Sequence, residues 1–569
     1  MKAVHLLILI SVLAIGGGFY FATGDHEVTI ADTTSAGLPA LPTIAPVGAS
    51  FLEGLGEHSM VVTTRNPEVQ RWFDQGLMLT YGFNHDAAER SFLRALELDA
   101  ECAMCWWGAA LVLGPHVNAG MNPAQNPVAW ERLQAARALA GQASDRERDY
   151  IEALSSRYAE HPPEDRTSLD IAYAAAMAKL VQQYPDDLDA ATFHAEALMD
   201  LQPWDFWDSE GRPKGNTTEF VAQLESILAR NESHPGALHL YIHAVEASPD
   251  PGRGAAAADR LRDLIPGSGH LVHMPAHIYA RVGRWHDASE VNRDAIKADD
   301  LYLATCRPMP GVYPLGYVPH NHHFLWFAAT MAGERAVALA AAEATGERTS
   351  DPELMRMPGM EALQQFSLTP LYAKVRFGLW DDITLIPRPA DDLPFHVGIW
   401  HYAQGLAAIR QARLEDAAVH HQALLAATED PRIRSLLTWG RYSLIQGTQV
   451  AERVLAGELA AAQGDGSLAV AALSEAIVLE DAIPYDEPPG WHAPVRQTLG
   501  AVLLELGRAE EAEFTYREEL KRNPENGWSL FGLAEALTVQ GREQAAADIR
   551  LRYNTAWAHA DIELTGSRF

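Results

Sequence analysis

The fold is decided by residues 69–102, VQRWFDQGLMLTYGFNHDAAERSFLRALELDAEC, and by the way that stretch returns along the chain. Small residues stand at Gly76, Ala88 and Ala95, and bulky ones at Trp72 and Phe92. The same order recurs with a 34-residue period in 269–302 (Ala276, Tyr279, Ala288, Ala295), 398–431 (Gly405, Ala417) and 450–483 (Gly457, Ala469, Ala476). It returns in two adjacent copies, 493–526 (Leu499, Gly500, Ala512, Tyr516, Pro524) and 527–560 (Leu533, Ala534, Ala546). Small side chains let paired helices approach, while aromatic and leucine side chains fill the space between neighbouring pairs. Alanine-rich runs such as Ala338–Ala344, with few consecutive β-branched residues, suit close helix packing. The expectation is an all-α solenoid of antiparallel helix pairs with loop insertions.

These positions resemble the tetratricopeptide repeat (TPR). That resemblance implies a right-handed superhelix whose concave face, lined by positions 2, 5, 9 and 12 of each first helix, holds ligands. Stretches 103–136 and 235–268 read as degenerate copies, and 137–234 and 303–397 keep helical periodicity with insertions. Trp204–Asn216, with Pro213 and several glycines, reads as an inserted loop. The chain is also similar to a group of exported, histidine-rich bacterial TPR proteins, through Cys102–Trp107, Gly269–Tyr279 and Pro319–Phe324. That similarity implies a fold and no reaction.

A chain of 569 residues exceeds what one hydrophobic core supports, which suits a repeat array. Residues 1–24 read as a signal peptide or signal anchor, because the apolar run Leu6–Ala22 follows Lys2 and precedes Asp25 and Glu27. Export, to the periplasm, follows whether the segment is cleaved or retained, and any membrane contact runs through this segment alone. Residues 25–65 read as a flexible tether, 66–397 as an N-terminal TPR-like array carrying the histidine-rich groove, and 398–569 as a C-terminal array without chemistry. A net charge of −31 argues against nucleic acid, whose phosphates need clustered Lys and Arg. Of three cysteines, Cys102 and Cys105 are candidates for a local disulfide at a helix junction, which leaves Cys306 over.

Function points to the histidines crowded into 234–323. His239 and His243 are four residues apart, as are His273 and His277, and the second pair follows the first by one 34-residue period. Side chains at i and i+4 lie on one helix face, and neighbouring first helices stand roughly 10 Å apart, so both pairs can converge. On the TPR register the pairs occupy positions 5 and 9, with His270 at position 2 and Glu246 at position 12. Four imidazoles with a carboxylate suit a divalent transition metal, Zn²⁺, Cu²⁺ or iron, with His270, His320, His322 and His323 as possible additional ligands. One shared four-histidine site is expected, with a helix that runs from about His270 and accommodates Pro275 in its first turn. Against a ligand role stands the plain reading of packing or solvent histidines, and of repeats that inherit a motif without needing it.

His194 falls on an earlier first-helix position, and Trp204, Asp205 and Trp207 could lid the groove or pack between repeats. No GxxxxGK, GxSxG, HExxH or dinucleotide fingerprint occurs, so no nucleotide cofactor is expected. Two functions compete, with metal storage or delivery in the periplasm as a third. One is a groove that binds a protein, peptide or small molecule with the metal as anchor. The other is a metalloenzyme with Glu246 or Glu196 as acid or base.

Overall fold

A computed structural model of the protein describes residues 49–308 and 311–569, so the apolar segment Leu6–Ala22 lies outside the described residues. The described chain is a helical array of TPR type, and its sheet is one short hairpin pairing Leu437–Thr438 with Tyr442–Ser443. Five of the six repeat copies are plain helix pairs. The pairs are Pro67–Tyr81 with His85–Leu98, Pro394–Arg410 with Leu414–Ala427, Ile445–Ala462 with Gly466–Asp481, Val495–Glu505 with Ala509–Arg522, and Gly527–Val539 with Glu543–Ala556. Among the described residues no helix is long and apolar enough to cross a membrane.

Local chemistry explains where these helices start and how they pack. Asn66 caps the first helix by accepting from the Glu68 amide, with Pro67 at the first position, where its missing N–H costs nothing. The Phe92 ring then wedges between two helices that present glycine to it. A Cβ at Gly76 or at Gly108 would sit 2.6 Å from that ring. Tyr516 repeats the arrangement between Gly500 and Gly532, where a Cβ would approach to 2.4 and 2.2 Å. The small and bulky positions of the repeat are thus two halves of one contact.

The helix carrying the second histidine pair departs from expectation. It begins at Gly269, which puts Pro275 well past the first turn, and it divides into Gly269–His273 and Pro275–Arg281. Proline has no N–H to return to Leu271, so one helical bond is missing. Met274 nevertheless stays helical (φ −50°, ψ −38°), and the helical rotation carries His273 and His277 onto one face.

Residues 49–65, the end of the stretch expected to be a tether, lie against the body. Met60 and Val62 are buried, the Gly54 carbonyl accepts from Gly267 N (2.8 Å), and Gln75 holds Ser50 and Leu52. Apolar side chains and main-chain hydrogen bonds bind this segment where composition alone suggested a loose linker. Cys102 and Cys105 are joined by a disulfide at the start of helix Ala103–Leu111, with Cα atoms 5.3 Å apart.

The C-terminal pairs turn back onto the middle of the chain. Trp285 Nε1 donates to the Pro524 carbonyl (2.8 Å), and Trp528 Nε1 to that of Thr330 (2.9 Å). Asp561 accepts from the Arg335 and Ala336 amides, which caps helix Arg335–Thr349 from 226 and 225 residues away. This fold-back encloses the histidine face.

Candidate metal centre

Helix Pro235–Glu246 is started by His234, whose Nδ1 accepts from the Ala237 amide (3.2 Å), with Pro235 at its first position. The helix aims His239 and His243 inward, and both are buried. His239 Nδ1 donates to the Tyr81 carbonyl (2.6 Å) and His243 Nδ1 to Glu246 Oε1 (2.9 Å). With the proton of a neutral ring on Nδ1, each Nε2 keeps a bare lone pair directed into the chamber.

The second pair is built alike. His273 Nδ1 donates to Asn292 Oδ1 (2.7 Å), and Asn292 is oriented by its own donation to the Ala288 carbonyl (2.7 Å). His277 Nδ1 meets Glu246 Oε2 at 2.5 Å and Glu487 Oε2 at 2.5 Å. Glu246 therefore holds one ring from each pair. A carboxylate or carbonyl on the far nitrogen is the outer support that metal-ligating histidines have.

The nitrogens pointing inward fall into two sets rather than the single four-histidine site expected. His239, His243 and His270 form one and His273, His277 and His320 the other, with the candidate ligand atoms of each set within 4.8 Å of one another. Within them, Nε2 of His239 and His270 are 3.1 Å apart, those of His273 and His277 2.8 Å, and those of His273 and His320 3.1 Å. Donors at about 2.0–2.1 Å from one ion lie roughly 2.9–3.4 Å apart when adjacent, so these spacings are close to those of a coordination sphere. His243 Nε2 and His270 Nδ1 are buried without a hydrogen-bond partner. The physical reason for two sets is the third histidine of each, His270 one turn before His273 and His320 from helix Val318–Ala332.

Burial, then repulsion from neighbouring imidazoles, holds His239, His270, His273 and His320 well below the ordinary histidine range, which favours the neutral, ligating form. Burial also lowers His243, against the pull of Glu246. His277 is the exception: burial pulls it down, but Glu246 and Glu487 override this and raise it to about 10. Burial would raise Glu246, yet the His277 and His243 rings hold it below the carboxylate range, while burial and Glu246 push Glu487 up.

The other sequence candidates are placed differently. His322, about 200° around the helix from His320, joins neither set, and His323, although one turn from His320, packs on Phe366 (4.5 Å) and Trp326 (5.2 Å). His194 hydrogen-bonds Gln223 (2.8 Å), and Glu196 belongs to a buried group with Asp200 and Arg157. From the inserted loop, the Trp204 ring stands edge-on to His243 (5.1 Å) and Trp207 Nε1 donates to the Ala244 carbonyl (2.9 Å). Asp205 faces solvent and pairs with Lys214.

Sequence reasoning missed several groups. Tyr485, Asp486 and Glu487, in the loop before Val495–Glu505, reach the chamber from an array expected to lack chemistry, because the fold-back delivers them. Arg441 locks this loop by donating to the Tyr485 carbonyl (2.7 Å), and its guanidinium lies 5.4 Å from the Trp204 ring centre. No motif around Tyr485–Glu487 signals this. Phe83 walls the first set, 4.5 Å from His239, and its ring stands 4.4 Å from His116. A cavity of about 120 Å³ lined by Phe83, His85, His116 and Tyr313 adjoins it.

Fold and site together define a TPR-type helical array that encloses a polyhistidine chamber. No family model and no curated protein matches the chain. Among solved structures it is similar to the APC/C hetero-tetramer Cut9–Hcn1, at 14% identity over 86% of this chain and 76% of that one, with a TM-score of 0.30. It is similar to the human IFIT1 dimer with m7Gppp-AAAA, at 12% identity over 87% and 91%, TM-score 0.29. For the TPR domain of P58(IPK) the values are 12%, 84%, 99% and 0.21. The fold assignment rests on the helix pairs themselves.

Proposed function

We propose that this is an exported TPR-type binding protein that holds a divalent transition metal, Zn²⁺, Cu²⁺ or iron, in the histidine chamber, as anchor for a protein, peptide or small-molecule ligand. One observation carries the reading: four rings tied at Nδ1 by Tyr81, Glu246 and Asn292 turn their Nε2 atoms inward, where His239 meets His270 at 3.1 Å and His273 meets His277 at 2.8 Å and His320 at 3.1 Å. Such an arrangement is repulsive unless a proton or a cation is shared. Export is supported by the apolar run Leu6–Ala22, and cell fractionation tests it. Metal analysis of protein from its native compartment, followed by dialysis against Zn²⁺, Cu²⁺ and Fe²⁺, tests the metal. A stoichiometric ion is expected. Protein that arrives without metal and takes up none of the three refutes the reading.

The catalytic alternative gains one observation, though with a different acid. Glu246 is committed to two rings, whereas Glu487 stands at the chamber wall with its pKa pushed up to about 8. Zinc-loaded protein that hydrolyses p-nitrophenyl esters, and loses this in Glu487→Gln with its metal retained, would support catalysis. Equal turnover in the two proteins, or none, would dismiss a role for Glu487.

A further inference from the structure

We infer that the chamber takes two divalent transition-metal ions, one held by His239, His243 and His270 and the other by His273, His277 and His320. This rests on the metal-binding reading above and goes beyond it in number and ligand assignment. One tetrahedral ion takes four ligands, whereas six imidazoles face this chamber. They form two histidine groups of three, neither of which mixes the two histidine pairs, and a further group of Glu246, His277 and Glu487 shares only His277 with them.

Each set has its own anchors. The first is oriented by the Tyr81 carbonyl and Glu246 Oε1, the second by Asn292 and Glu246 Oε2. Each is also walled by its own aromatic ring. Phe83 lies 4.5 Å from His239, and Phe324 lies 5.1 Å from both His273 and His277. Three nitrogens leave a coordination position open on each ion, as ligand-binding and catalytic centres require.

The two sets are neighbours, with His243 and His277 rings 5.7 Å apart and His270 and His273 rings 6.1 Å apart. Two ions at such range repel, and the protein supplies the compensation there: Glu246 between the sets and Glu487 beside the second. Filling therefore proceeds in two steps, the second ion weaker than the first. Another carboxylate–histidine cluster, His58, Asp189 and His234, does not count as a third centre. His234 Nδ1 accepts from the Ala237 amide, so its proton sits on Nε2, the nitrogen facing Asp189 (3.3 Å).

The test is metal stoichiometry after dialysis of the full chain against Zn²⁺, in wild type, His270→Ala, His320→Ala and the double variant, with circular dichroism as folding control. Two ions are expected in wild type, one in each single variant and none in the double. One ion in wild type, lost in either single variant, overturns the two-ion assignment and leaves the metal reading standing. No ion in wild type removes the metal reading itself. Two ions that survive both substitutions place the metal elsewhere and overturn the assignment. Should a variant fail to fold, wild type loaded with Cu²⁺ decides: neighbouring Cu²⁺ ions couple magnetically, giving a broadened electron paramagnetic resonance spectrum with a half-field transition. A spectrum of isolated ions at two Cu²⁺ per chain overturns the proposal.

Discussion

Replacing Glu246 with glutamine keeps the shape of the side chain and changes one oxygen into an NH₂. In the wild type its two oxygens accept from His243 Nδ1 at 2.9 Å and His277 Nδ1 at 2.5 Å. Whichever way the amide lies, one ring then faces a donor with a donor. That ring must break the contact or move its proton to Nε2, and the second choice removes the lone pair that binds metal. Loss of such an outer support lowers metal affinity by about 10–100-fold, here in one centre, while the centre that keeps the oxygen changes less. Without metal the cost should stay below the roughly 3–5 kcal/mol of an orphaned buried charge, since Glu487 still faces His277. Competition against a chromophoric chelator reads the two affinities, and urea melts of the metal-free proteins read the rest. A Glu246→Gln protein that binds metal with wild-type affinity at every step would refute the claim that this carboxylate fixes the tautomers.

Three further expectations lie away from the chamber. Burial raises the Glu519 carboxyl to about 7. The folded state thus binds its proton more tightly than the unfolded chain, and this contribution is fully present below about pH 4.5 and lost as pH rises through 7, some 3 kcal/mol in all. Glu519→Gln, which cannot ionise, should gain stability over wild type between pH 5 and 8 in urea melts, and parallel curves would dismiss the idea. Asp561→Ala removes the cap of helix Arg335–Thr349 and should cost about 1 kcal/mol. Ending the chain after Ala556 should cost more, because it also removes Trp557 and Phe569 from the Trp528 ring. An unchanged melting temperature on truncation would count against the fold-back as a source of stability.

The parts of this molecule that could be read in the sequence are those whose cause is local or periodic. Gly76 and Phe92 belong to one repeat and meet in one contact, so a 34-residue self-match finds them. The spacing of His239 with His243 and of His273 with His277 gave both the helix face and the repeat offset, and the structure brings all four rings to one chamber. What escaped depends on long-range geometry. His270 and His320 could be named only as additional ligands, and the division of the rings into two sets depends on where the helix Val318–Ala332 delivers His320. The Tyr81 carbonyl is a main-chain acceptor, which no side-chain pattern records. Glu487 lies 210 residues beyond His277, and only the turning back of the C-terminal pairs makes them neighbours. The break after His273 escapes a reading that puts Pro275 in the first turn of a helix from about His270, because the helix begins at Gly269 and the proline falls in its second turn.

Open repeat arrays change length readily in evolution, since each unit depends only on the units beside it. The bonds from Trp285 to Pro524, from Trp528 to Thr330 and from Asp561 to Arg335 remove that freedom here. Duplicating or deleting one unit between Trp285 and Trp528 would carry each acceptor a helix pair away from its donor. The number of units is therefore fixed by closure, much as blade number is fixed in a β-propeller, and descendants of this chain can vary their loops but not their count.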